Sequence, residues 1–101
     1  MNFTPKAKRL IESAVPELNR EAQKVWKDWA QSWVGAGHVP SDVANVALDA
    51  LGIINARLED YLANPGLDDD ERADLINDLV YVRAIRSDLQ GDAAPRRMAA
   101  G

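Results

Sequence analysis

The chain has 101 residues and a net charge of −4, with 47% hydrophobic and 28% charged residues. This length and composition predict one soluble globular domain with a single core. Because cysteine is absent, the sequence excludes disulfides, thiolate metal sites and cysteine nucleophiles, and it fits a reducing cytoplasm. No apolar run approaches the roughly 20 residues of a membrane span, so we expect a cytoplasmic protein without membrane contact.

Helix signals dominate the first third of the chain. Thr4 and Pro5 predict the N-cap and first turn of a short helix over about residues 5–14. Pro16 interrupts this helix, because a proline ring clashes with the carbonyl four residues earlier. We expect a second, longer helix over about residues 16–34, which ends in a glycine-rich loop.

Two further long helices follow this loop. Ser41 is a candidate N-cap for a helix over about residues 42–63, and the breaker Asn64-Pro65-Gly66 ends it. A run of acids then predicts the start of a fourth helix over about residues 69–90, with Gly91 as its C-cap. The predicted fold is therefore all-α: a small bundle of three long helices plus the short N-terminal one. We expect residues 1–91 to form the domain and residues 92–101 to be a disordered tail.

The third helix has two apolar seams at helical spacing, which predicts contacts on two sides and a central place in the bundle. The seams are Val43, Ala47, Ala50, Ile54 and Tyr61, and Ala44, Leu48, Leu51, Leu58 and Leu62. Arg57 interrupts the first seam and Asn55 the second. Each of these polar residues either fixes the register of the packing or lies at the edge of its seam. The fourth helix is predicted to pack through Leu75, Ile76, Leu79, Val80, Val82, Ile85 and Leu89.

All three tryptophans, Trp26, Trp29 and Trp33, lie on the second predicted helix at spacings of three and four residues. Such a stripe is either the centre of a core or the anchor of an interface. Trp29 continues an apolar line that starts at Ile11 and Val15, so we expect Trp29 to be the most buried. We expect Trp26 or Trp33 to be partly exposed and covered by a partner, and the stripe to support self-association.

Charge is unevenly distributed along the sequence. Residues 1–38 contain six basic and four acidic groups, whereas residues 39–90 contain four arginines and eleven acids. Asp70, Asp74 and Asp78 stand four residues apart and predict an acidic ridge on the fourth helix. This ridge is either an ordinary solvated face or a surface that binds a basic partner.

No motif in the sequence specifies a chemistry. His38 is the only histidine, so it lacks the second ligand or base that metal binding or catalysis requires. We therefore expect no catalytic residue, no cofactor and no metal. In size and charge alone, the chain resembles bacteriocin immunity proteins and phage-encoded inhibitors such as anti-CRISPR proteins, a resemblance that carries no residues across.

These features predict a small acidic helical regulator, adaptor or inhibitor that acts by binding a protein partner, with a homodimer as a further expectation. The predicted partner-binding residues are Trp26, Trp29, Trp33, Asp70, Asp74 and Asp78. The alternative is a nucleic-acid-binding regulator that uses the basic N-terminal helix. Acids lie between the lysines of this helix, so we expect a protein partner rather than nucleic acid.

Overall fold

The computed structural model describes residues 4–32 and 39–92 of the chain, and within these ranges it is helical and contains no strand. The elements in chain order are α1 (Pro5–Ala14), a 3₁₀ turn (Val15–Glu17), α2 (Arg20–Ala30), α3 (Ser41–Leu62) and α4 (Asp69–Asp92). The all-α prediction of a small bundle is confirmed. The second helix, however, has 11 residues and is hardly longer than α1 with 10, so the structure contains two long helices, α3 and α4, within the described ranges.

The start of α1 agrees with the sequence signals, whereas the start of α2 does not. Thr4 caps α1, and its side chain accepts a hydrogen bond from the Ala7 amide at 3.1 Å. The second helix does not begin at Pro16, as predicted, because residues 15–17 form a 3₁₀ turn. Asn19 is the true N-cap of α2, and its side chain accepts from the Ala22 amide at 2.8 Å. A capping side chain four residues after Val15 therefore sets the start of α2.

Helix α3 is the centre of the bundle, as the sequence predicted, and it contacts α1, the 3₁₀ turn, α2 and α4. The buried residues of α3 form a wide arc around the helix, and they are Val43, Ala44, Val46, Ala47, Ala50, Leu51, Ile54 and Leu58. Ser41 is not the cap but the first helical residue. Pro40 stands at the cap position without a capping side-chain hydrogen bond, and the Asp42 carboxylate accepts from the Val43 amide at 2.9 Å.

Helices α3 and α4 form an antiparallel hairpin. The Arg72 guanidinium donates to the Leu62 carbonyl at 3.1 Å, and Arg83, further along α4, pairs with Glu59, earlier in α3, at 3.0 Å. The α4 start is fixed by Asp68, whose carboxylate accepts from the Glu71 amide at 2.8 Å. Gly91 is not a C-cap, since α4 continues through it to Asp92. Asp92, the first residue of the predicted tail over residues 92–101, is the last residue of α4, and the rest of that prediction lies outside the described residues.

The two polar interruptions of α3 lie at edges of the bundle. Arg57 pairs with Glu17 of the 3₁₀ turn, and about two fifths of its side chain remains exposed. Asn55 donates to Glu59 at 3.2 Å and accepts from Arg83 at 3.4 Å, so it belongs to a polar cluster between α3 and α4. The edge interpretation therefore accounts for both residues.

The apolar face predicted for α4 is wrong at two positions. Leu79, Val82, Ile85 and Leu89 are buried against the core, as expected. Ile76 and Val80, however, are 45% and 62% exposed. A helix turns by about 100° per residue, so Val80 points away from the side that Val82 occupies. Helix α4 consequently has apolar side chains both on its inner face and on its solvent face.

Candidate functional site

The structure reverses the expected order of the tryptophans. Trp26 is only 4% exposed and belongs to the core, whereas Trp29 is partly buried against it. The two rings are 5.3 Å apart between centroids, with a tilt of 56° between their planes. The expectation that Trp29 is the most buried is therefore wrong. This expectation assumes that one apolar line continues from α1 into α2. In the structure, the 3₁₀ turn and the Asn19 cap separate the two helices, so the helical phase of α2 is independent of that of α1. Trp33 lies outside the described residues.

A groove of about 380 Å³ opens beside Trp26, and we call it the tryptophan groove. Buried Val15 and Trp26 line it together with Pro16 and Ala30, and its charged residues are Lys8, Glu12 and Lys27. The Lys8 ammonium and the Glu12 carboxylate are 2.7 Å apart, one helical turn from each other. The charges at this groove are therefore partly compensated within α1, and its aromatic ring is part of the core.

A second groove, of about 370 Å³, lies where α3 ends and α4 begins, and we call it the acidic groove. It is lined by Tyr61, Asn64, Leu67, Glu71, Asp74 and Leu75. Tyr61 is 58% exposed, whereas Leu67 and Leu75 are partly buried and supply an apolar wall. Glu71 and Asp74 are exposed. An accessible aromatic side chain thus stands beside apolar surface and two carboxylates.

The structure divides the acids at the start of α4 by what they contact. Asp68 is committed to the helix start, and the hydrogen bond from the Glu71 amide lowers the pKa of its carboxyl. Asp74 lines the acidic groove, whereas Asp70 and Asp78 lie one turn before and one turn after it on the same helix. Asp70 is exposed and Asp78 is half-buried. Of the predicted acidic ridge, Asp74 is the member that lines the acidic groove.

Sequence reasoning missed Tyr61 as a surface residue. Tyr61 continues the seam of Val43, Ala47, Ala50 and Ile54, so it was expected to be buried. The sequence signal for its exposure is Arg57, a charged residue one turn earlier in the same seam. In the structure, Arg57 pairs with Glu17. The exposure of Tyr61 shows that the cover over this side of α3 ends near that ion pair.

Three of the six basic residues of α1 and α2 contact other side chains. Besides the Lys8–Glu12 pair, the Lys24 ammonium lies 2.8 Å from the Asp28 carboxylate, which raises the pKa of Lys24. The Lys6 ammonium lies 4.4 Å from the centre of the Tyr81 ring, a cation–π contact between α1 and α4. These contacts reduce the positive charge that α1 and α2 offer to a phosphate backbone.

Within residues 4–32 and 39–92, no cluster of three or more His, Asp or Glu side chains is arranged to hold a metal ion. His38 is not among these residues. No helix in the described part of the chain has the length and hydropathy needed to cross a membrane. No known protein family, curated protein or solved structure matches this chain.

Proposed function

We propose that this chain is a non-enzymatic interaction protein, a small acidic regulator, adaptor or inhibitor, and that it binds a basic segment of a protein partner in the acidic groove. The observation that carries this proposal is the exposure of Tyr61 beside Leu75 and Asp74. The absence of cysteine fits action in the reducing cytoplasm.

Tyr61 has the properties of a binding anchor. Tyrosine is enriched among residues that dominate binding energy, because its ring offers a large apolar area and its hydroxyl can form a hydrogen bond. The acidic groove, at about 370 Å³, has room for one large side chain of a partner against Leu67 and Leu75. Because the ring is exposed in the free chain, burying it against a partner contributes favourable free energy to binding.

The carboxylates of Glu71 and Asp74 select the chemistry of the partner. They would attract a segment that carries lysine or arginine beside its apolar anchor, and they would repel an acidic one. Asp70 and Asp78 extend the negative charge along the same helix. Such exposed charges act mainly on the association rate and on specificity, so binding should weaken as salt is added.

The nucleic-acid alternative has less support. It requires accessible cationic groups on α1, where Lys8 lies against Glu12 and Lys6 against Tyr81, while Arg9 is exposed. It also requires exposed aromatic rings for stacking. Of the α2 tryptophans, Trp26, which lines the same groove as Lys8, is buried, and Trp29 is partly buried.

The test is a titration of isotope-labelled protein with short synthetic peptides that place one leucine or phenylalanine between lysines and arginines. We expect chemical shift changes at Tyr61, Leu67, Asp74 and Leu75, and none with matched peptides in which glutamate replaces the basic residues. Tyr61→Ala should weaken binding by about 2 kcal/mol, roughly 30-fold. Asp74→Asn should weaken binding and reduce its salt dependence.

Asp88→Asn is the matched control, because it removes one exposed carboxylate from the same helix about 20 Å away from Asp74. This control should bind like the parent. Shift changes that cluster around Trp26, or binding that is equally weakened by Asp88→Asn and Asp74→Asn, would refute the assignment of the acidic groove.

A further inference from the structure

The solvent face of α4 carries a continuous apolar strip that packs against no other helix among the described residues. We call it the outer strip of α4, and it consists of Ala73, Ile76, Val80 and Ala84, all exposed. Their spacings of three, four and four residues keep them on one side of the helix. This side lies opposite Val82 and Leu89, which are completely buried. Exposed apolar side chains that form a row, rather than standing singly, indicate an interface.

The outer strip is arranged symmetrically about Val80. Ile76 and Ala84 lie four residues on either side of it, and Ala73 and Ser87 lie seven residues on either side. If two copies of α4 pack antiparallel about this centre, Val80 meets its own counterpart. Each Ile76 then meets an Ala84, so a large side chain faces a small one and the two helices can approach closely.

The charge along α4 favours the same arrangement. Its first two turns carry four acids and Arg72, a net charge of −3, whereas its later half carries two arginines and two aspartates, a net charge of zero. Antiparallel packing keeps the two acidic ends apart and places each beside the half of the other helix that has no net charge. It also opposes the two helix dipoles, whereas parallel packing would bring both acidic ends together.

We propose that the outer strip of α4 is the interface of a homodimer, in which α4 of a second copy packs antiparallel about Val80. The outer strip and the acidic groove lie on different sides of α4, so the dimer leaves Tyr61 accessible. This proposal does not depend on the proposed function, because dimerisation can fail while peptide binding persists, and the reverse.

The first test is sedimentation of the full chain over a range of concentrations. The average mass should rise from 11.1 kDa toward twice that value. Val80→Asp should hold the protein at the mass of one chain, and it should still fold because Val80 is 62% exposed. Ala56→Asp is the matched control, since Ala56 is exposed on α3 outside the strip, and this variant should dimerise like the parent. A parent protein that stays monomeric, or an equal loss of dimer in both variants, overturns the proposal.

The second test determines the direction of packing. Because the chain has no native cysteine, a disulfide can form only between the introduced cysteines. Val80→Cys should form an intermolecular disulfide under mild oxidation. Ile76→Cys alone should not, because the two copies of residue 76 would be separated by eight residues, about 12 Å along the helix. A mixture of Ile76→Cys and Ala84→Cys should crosslink. Efficient crosslinking of Ile76→Cys with itself, or of the control Ala56→Cys, contradicts the antiparallel dimer.

Discussion

The tryptophan groove and the acidic groove are nearly equal in size, at about 380 and 370 Å³, but they use their aromatic residues in different ways. Trp26 is 4% exposed and belongs to the core, whereas Tyr61 is 58% exposed and lies outside the core that the described residues form. The largest aromatic residues of a small protein therefore need not mark its binding surface. Exposure, which depends on where the covering helices end, is the better guide.

The difference between the two grooves arises from the cover over α3. On one side, α1, the 3₁₀ turn and α2 pack against α3 and enclose Trp26. Arg57 pairs with Glu17 at the margin of this cover, and Tyr61 follows one turn later in the open. The acidic groove thus forms where the α3–α4 hairpin extends beyond the other helices.

The largest expected effect concerns the buried side of this comparison. Trp26→Ala should lower the free energy of unfolding by about 3–5 kcal/mol, because a large aromatic ring leaves a cavity in the core. Urea unfolding followed by far-UV circular dichroism measures this change. Trp29→Ala, the matched control on the same helix, should cost less because Trp29 is only partly buried. An equal or larger loss for Trp29→Ala would restore the order expected from the sequence.

The helices themselves could be predicted from the sequence because their signals are local. Thr4-Pro5 and Asn64-Pro65-Gly66 bound α1 and α3 through capping and turn chemistry that needs no tertiary contact. The exposure of Val80 could also be predicted from the sequence, because a rotation of about 100° per residue places Val80 and Val82 on nearly opposite sides of the helix. The predicted α2 start at Pro16 is wrong because the chain around Pro16 forms a 3₁₀ turn, and the Asn19 side chain caps the helix that follows.

The acidic groove was only half predictable. The spacing of Asp70, Asp74 and Asp78 located the acidic surface, but it could not show which carboxylate stands beside an apolar wall. The exposure of Tyr61 depends on how far α1 and the 3₁₀ turn reach along α3, which is a tertiary property. The same limit explains the tryptophans, because their order of burial depends on the phase of α2 after the 3₁₀ turn.

The second prediction compares the two tyrosines. The Tyr81 hydroxyl lies 2.7 Å from the Thr4 hydroxyl and so joins α4 to the start of α1. Tyr81→Phe should lower the free energy of unfolding by about 0.5–1 kcal/mol, the lower part of the usual range because this hydrogen bond is exposed. Tyr61→Phe removes the same atom from a solvent-facing ring and should change stability by less. Equal losses for the two variants would mean that Tyr61 contributes to the fold.

The third prediction concerns the charges of the two grooves, for which we expect effects of opposite sign. Glu12→Gln breaks the pair with Lys8 at the tryptophan groove and should destabilise the protein by about 0.2–0.5 kcal/mol. Asp74→Asn should stabilise it by a similar amount, because Asp74 has like charges four residues away on both sides, at Asp70 and Asp78. Urea unfolding at low ionic strength measures both changes. A destabilising Asp74→Asn would indicate that this carboxylate serves the fold rather than a partner.

The smallest effect separates the acid that starts α4 from those that face the acidic groove. The Glu71 amide donates a hydrogen bond to the Asp68 carboxylate and lowers the pKa of Asp68 in the folded chain below its usual value. A lowered folded-state pKa stabilises the fold fully above the unfolded value, and this contribution is lost as the pH falls through the folded one. The loss should therefore occur below about pH 4, where an ordinary aspartate takes up its proton.

Asp68→Asn provides the comparison, since asparagine can cap a helix but does not titrate in this range. Relative to this variant, the parent protein should lose stability between about pH 5 and pH 2, in the window that the lowered pKa defines. Urea unfolding at a series of pH values measures the difference between the two proteins. If that difference stays constant as the pH falls, the Asp68 carboxylate does not stabilise the start of α4, and it joins Asp74 as a charge available to a partner at the acidic groove.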